Sequence, residues 1–146
     1  MNQETKLKKK AYKFDKVTKE LAVKKANYHC ECCEAKLNKK DSKKAEVHHL
    51  LPVWVVFNCC PEMSAALIRN LANAVVLCHD CHCFLHQIEN GDENKLEVFY
   101  QALMEEMRCL DRKFFKNSGK KNSNKELISS LKVKKNAVLA LLKEEI

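Results

Sequence analysis

The 146-residue chain sets 27 Lys+Arg against 19 Asp+Glu, a formal net charge of +8; this suits a polyanionic partner, nucleic acid first, and a length of one domain with a modest extension. No run of about 18 apolar residues occurs, which excludes an expected transmembrane helix, and residues 1–10 are polar and charged with no apolar stretch behind them, which excludes a secretory signal. Nine cysteines without an export signal then read as metal ligands and reduced thiols rather than disulfides, and the expected location is the cytoplasm.

In chain order, residues 1–13 are lysine-rich without periodicity and read as a flexible basic arm. Phe14, Val17, Leu21 and Val23/Ala26 recur near helical spacing and predict a helix over 14–27. Residues 28–38 hold a Cys-x-x-Cys pair and read as a knuckle-like turn, followed by a charged loop at 39–44. Residues 45–51 alternate weakly and predict a strand ended by Pro52. The apolar run Val53-Trp54-Val55-Val56-Phe57 leads through Asn58-Cys59-Cys60-Pro61 to a short helical candidate at 62–69. A second strand is predicted at 73–77 and a helix at 79–88, stopped by the turn residues Asn90-Gly91-Asp92. Leu96, Phe99, Tyr100, Leu103, Met104, Met107 and Leu110 form one apolar stripe on a long helix over 93–115. A polar linker at 116–124 and a last helix at 125–146 complete the chain, and no internal repeat is visible. The expected organisation is an arm (1–13), a metal-bearing domain (14–92) and a helical extension (93–146) whose stripes suit either a core-completing cap or a homodimer interface.

Two Cys-x-x-Cys half-sites, Cys30/Cys33 and Cys78/Cys81, carry the first chemical signal. A two-residue spacer lets both sulfurs of one turn reach a single ion, and four thiolates close a tetrahedral zinc site with no open position. Such a site is structural, since its binding free energy is largely folding free energy in a small domain. Four buried free cysteines are the alternative. Cys32 competes with Cys33 for register, and Cys59, Cys60, Cys83 and Cys109 receive no role.

The second signal is a set of histidines. His82 and His86 are four apart on a predicted helix, so both imidazoles share one face. Cys81 immediately before His82 would anchor that helix beside the zinc site. His48 and His49 are strand neighbours, which point to opposite faces of a flat strand and can serve one site only where the strand twists or ends. Two surface histidines, a half-buried and an exposed strand histidine, and a turn asparagine at Asn73 are the ordinary readings of these residues taken singly.

Taken together, Glu46-Val-His48-His49-Leu-Leu-Pro52 and Asn73-Ala-Val-Val-Leu-Cys78-His-Asp-Cys81-His82-Cys-Phe-Leu-His86 resemble the HNH endonuclease family over roughly residues 20–90, and Cys30-x-x-Cys33 matches the zinc half-site that many of its members carry upstream. The resemblance implies an α+β fold: a small ββα-metal (HNH) core with a four-cysteine zinc knuckle, flanked by an N-terminal helix and two C-terminal helices. It implies that His48, His82 and His86 hold one catalytic metal ion. It gives His49 the role of general base and Asn73, nine residues before His82, that of orienting the base and bracing the hairpin. Many members have a polar, glycine-containing loop where this chain has its apolar run, and the only glycines here are Gly91 and Gly119.

The chemistry follows from the groups. A neutral imidazole can take a proton from water near pH 7, and a divalent ion opposite it stabilises negative charge on the phosphate and the leaving 3′-oxygen. Imidazole ligands favour zinc, nickel or manganese, with magnesium as the alternative because it prefers oxygen ligands. The expected function is a metal-dependent DNA endonuclease. A zinc-containing nucleic-acid-binding module without catalysis, and an effector acting through its C-terminal helices, are the competing readings. No element reads base sequence; the lysines of 5–16, 36–44 and 112–125 can contact phosphates, but each run taken singly reads first as a solvated face.

Overall fold

The computed structural model describes residues 3–37, 45–91, 94–116 and 124–145. The charged loop at 39–44, and most of the linker at 116–124, lie outside these residues. The order of elements is α1 (Gln3–Ala11), α2 (Lys16–Lys25), β1 (Ala45–His49), α3 (Val53–Cys59), α4 (Ala65–Ile68), a 3-10 turn (Leu71–Asn73), β2 (Ala74–Cys78), α5 (His79–Glu89), α6 (Glu97–Asp111), a π-helical turn (Arg112–Lys116) and α7 (Asn124–Glu145). The protein is therefore α+β, mostly helical, with one two-stranded antiparallel sheet among the described residues.

The sheet organises the molecule. Its register sets Ala45 opposite Cys78, Glu46 opposite Leu77, Val47 opposite Val76, His48 opposite Val75 and His49 opposite Ala74. Successive residues of a strand face opposite sides, and β2 buries both. Ala74 and Val76 pack with Phe14, Ala22 and Leu37 in a small cluster under α2. Val75 and Leu77 join the main core, with Leu51, Val56, Leu67, Ile68 and Leu85. A strand covered on both faces reads as a continuous apolar run rather than an alternating one, which is why Ala74–Leu77 carries no polar residue.

Three expectations are revised, and one unassigned run gains an element. Residues 3–11 form α1 instead of a flexible arm. Their alanine, lysine, leucine and glutamine are good helix formers, and the segment is tied down where Tyr12 and Phe14 are buried beyond it. The apolar run after Pro52, to which the sequence assigned no element, is helix α3, because Val55 and Val56 bury against the core on one helical side. Asn73 closes a 3-10 turn, and the second strand starts one residue later, at Ala74. The helix predicted over 93–115 begins at Glu97 and turns π-helical after Asp111.

Leu96, Tyr100, Leu103, Met104, Met107 and Leu110 of the α6 segment pack with Leu127, Leu131, Val138, Leu139 and Leu142 of α7 in the main core. The stripes thus have a partner within the chain, as a core-completing cap does. A homodimer through these helices would have to use their outer faces, where Val98 and Val133 are exposed. No helix among the described residues is long and apolar enough to cross a membrane.

Candidate metal centres

The first centre is made where the N-terminal turn meets the sheet. Cys30 and Cys33 lie on a tight turn in which Glu34 takes a left-handed backbone (φ 65°), closed by Cys30 N–H to Ala35 O at 2.9 Å and Glu34 N–H to Cys30 O at 2.9 Å. Glu31 fastens this turn to β2: its N–H donates to Val76 O, and its carboxylate accepts from Val76 N–H at 2.7 Å. Cys78 ends β2 and Cys81 stands in the first turn of α5. The four sulfurs all lie within 4.8 Å of one another.

Cys33 Sγ and Cys78 Sγ are 3.7 Å apart, matching the edge of about 3.8 Å expected for a tetrahedron with zinc–sulfur bonds of about 2.3 Å. Burial resists the Cys30 thiolate, but backbone donors from Cys33, Cys78 and Cys32 more than offset it and hold this thiol low. Burial pushes Cys78 and Cys81 the other way, and neighbouring sulfurs push Cys81 further. Four sulfurs this close are poor as free thiolates without a cation and well arranged around one. The cluster can hold a metal ion such as zinc. Cys32 is buried and lies outside the four sulfurs that come together, of which Cys33 is one.

The second centre lies one residue along α5. His82 and His86 project from its first turns, and His48 from the same face of the sheet as Val75, so that the ligand atoms of the three imidazoles lie within 4.8 Å of one another. His82 Nε2 and His86 Nε2 are 3.0 Å apart, close to the separation of about 3.0–3.4 Å for two nitrogens bound to one ion at about 2.1 Å. His48 Nε2 is buried and has no hydrogen-bond partner among the described residues. An orphaned imidazole nitrogen facing two others fits a cation. Burial, then the neighbouring His82, His49 and His86, pushes the His48 pKa down to about 3, so His48 is neutral and its lone pair free near pH 7.

Two carboxylates to which spacing alone gave no role support the helix histidines from behind. Glu46 Oε2 contacts His82 Nδ1 while its other oxygen takes His79 Nδ1 at 3.0 Å. Glu89 Oε2 faces His86 Nδ1 at 3.4 Å, and its Oε1 accepts from the hydroxyl of buried Tyr100. A carboxylate on Nδ1 fixes the proton there and turns Nε2 towards the metal. A signal for both was present: Glu46 is two residues before His48 on one strand face, and Glu89 three after His86 on one helix face. Tyr100 had no such signal, since its partner comes from another helix.

This arrangement makes α6 part of the centre. Tyr100→Phe keeps the ring and removes only the donor to Glu89. Loss of such an outer partner weakens metal affinity by about 10–100-fold, to be read by calorimetric titration of a divalent ion into zinc-replete protein. An unchanged affinity would mean that the Tyr100–Glu89 pair serves packing alone.

His49 takes the other side. It closes β1 and faces α2, its ring stacked on Phe14 with centroids 4.1 Å apart and its Nε2 2.7 Å from Tyr12 O. A ring nitrogen that donates to a carbonyl leaves its partner nitrogen, Nδ1, as the acceptor. Burial dominates and, with the nearby Lys19 charge, holds the His49 pKa below the ordinary imidazole value despite the Tyr12 contact. Asn73 is fully buried and does not bond the His49 ring. Its side chain accepts from Leu51 N–H at 2.9 Å and donates to Ile68 O at 2.9 Å, and its carbonyl accepts from Leu50 N–H. It braces the chain as it leaves β1, while the atom that orients His49 is Tyr12 O.

No family model, curated protein or solved structure matches the chain.

Proposed function

We propose that the protein is a metal-dependent DNA endonuclease of the HNH class, built on β1, β2 and α5 as its ββα core. The observation that carries this reading is the convergence of His48, His82 and His86, with the orphaned His48 Nε2 among them; His49 is the next residue of β1, its Nε2 engaged by Tyr12 O. A structural zinc site alone would not require these histidines.

A divalent ion held by the three imidazoles would supply charge neutralisation at the scissile phosphate and at the departing 3′-oxygen. The all-nitrogen donor set suits zinc or nickel better than magnesium. His49, with Nδ1 free, takes the proton from the attacking water. Its stack on Phe14 and its contact with Tyr12 O hold the ring in one orientation, so that little reorganisation is needed when the proton moves. Asn73 fixes the turn that ends β1 and thereby the position of His49. The cysteine centre anchors the start of α5, one residue before His82.

The role of His49 is testable by pH. It acts only when neutral, so cleavage should rise with pH through its titration and level off on the alkaline side; because its pKa lies below the ordinary value of about 6.5, that limb falls on the acid side of neutrality. Metal ligands must also lose their protons, so the decisive comparison is at saturating metal and about pH 8. There His49→Ala should bind metal and DNA normally and cleave roughly 10²–10⁴-fold more slowly. A variant that cleaves at the wild-type rate, or that loses the second metal, would assign His49 another role.

A further inference from the structure

A groove of about 1010 Å³ runs between α2 and β1 and reaches His82 and Glu46 of the histidine centre. Its helical wall carries Lys16, Lys19 and Lys24 together with Val17 and Leu21. Lys16 and Lys19, and Val17, Leu21 and Lys24, are neighbours three and four apart on α2, and all five line the groove. The three lysines are exposed, and none forms an ion pair among the described residues. The wall carries one carboxylate, Glu20, while Glu46 at the groove's end is engaged by His79 and His82.

We propose that this groove seats the DNA flank leaving the histidine centre, with Lys16, Lys19 and Lys24 on its phosphates. The assignment rests on the nuclease reading for its direction, but its chemistry is separate from cleavage. Lys16 and Lys24 are eight residues apart, about 12 Å along the helix, which spans three to four phosphates at about 3.4 Å per charge on one strand. A merely solvated basic face has no need of exposed apolar residues, yet Val17 and Leu21 are 63% and 43% exposed on the same wall. Sugars and base edges give these side chains an apolar partner between the charged contacts.

The test is binding, measured by fluorescence anisotropy of a labelled duplex in the His49→Ala background, where the probe stays intact. Replacing Lys16, Lys19 and Lys24 together by Ala should weaken binding at least about tenfold and lower the slope of log affinity against log salt by about three, one for each phosphate no longer neutralised. A control triple on α7, Lys125, Lys132 and Lys134 to Ala, removes the same charge away from the groove and should change both far less. An unchanged slope in the groove variant overturns the proposal and leaves the groove to an acidic protein segment. Equal losses in the two variants also overturn it, since they would reflect net charge alone. Lysine-dependent binding by a wild-type protein that cleaves nothing would leave the groove assignment standing and remove the nuclease reading.

Discussion

Cys78→Ser is expected to produce a protein that aggregates or fails to fold, the largest effect of any single substitution considered. Cys78 joins the end of β2 to the start of α5 and is one of four sulfurs drawn from two distant segments. Structural zinc in small finger peptides binds with an apparent free energy of about 10–16 kcal/mol at neutral pH, comparable with the whole stability of a typical domain, about 5–15 kcal/mol. Serine offers a poor ligand, so most of that contribution is lost and two buried thiols, Cys30 and Cys81, are left with exposed Cys33 around a vacated position. Protein purified under reducing conditions should carry one tightly held zinc per chain by metal analysis, and a chelator should lower its melting temperature. If the variant with all four cysteines replaced by serine folds with an unchanged melting temperature, the zinc assignment is wrong.

The second large effect is on cleavage. His82→Ala should abolish it while leaving DNA affinity nearly intact. His82 Nε2 lies beside His86 Nε2 at the middle of the histidine cluster, and its loss leaves two imidazoles that no longer define a three-ligand site. The lysines proposed to contact phosphates are not touched by the substitution. Glu46 keeps His79 as a partner through its other oxygen, so the variant should fold. Retained cleavage after contaminating nucleases are excluded would rule out His48, His82 and His86 as the ligand set.

Local spacing made much of this molecule legible. The i,i+4 pair His82/His86 and the two Cys-x-x-Cys half-sites depend on a helix and a turn, so near neighbours in sequence are near neighbours in space. The residues that escaped are those whose partners come from far along the chain. Tyr12 reaches His49 across 37 positions of sequence, and nothing in a lysine-rich N-terminus marks its carbonyl as the one that orients the ring. Tyr100 reads as one more apolar-stripe residue until α6 sets its hydroxyl on Glu89. The helix at Val53–Cys59 was hidden for another reason: β-branched and aromatic residues favour strands by propensity, and tertiary burial of Val55 and Val56 overrides that preference. The opposed directions of His48 and His49 follow from strand alternation, but the surroundings that separate their roles needed α2 and α5 in place.

The most direct test is to strip the loosely held metal from zinc-replete wild-type protein and follow supercoiled plasmid as zinc, nickel, manganese and magnesium are added back singly. On the nuclease reading, cleavage returns with one ion per chain beyond the structural zinc, best with a transition metal, and not in His82→Ala or His49→Ala prepared in parallel. No cleavage with any of these ions, or equal cleavage by wild type and His82→Ala, would contradict it.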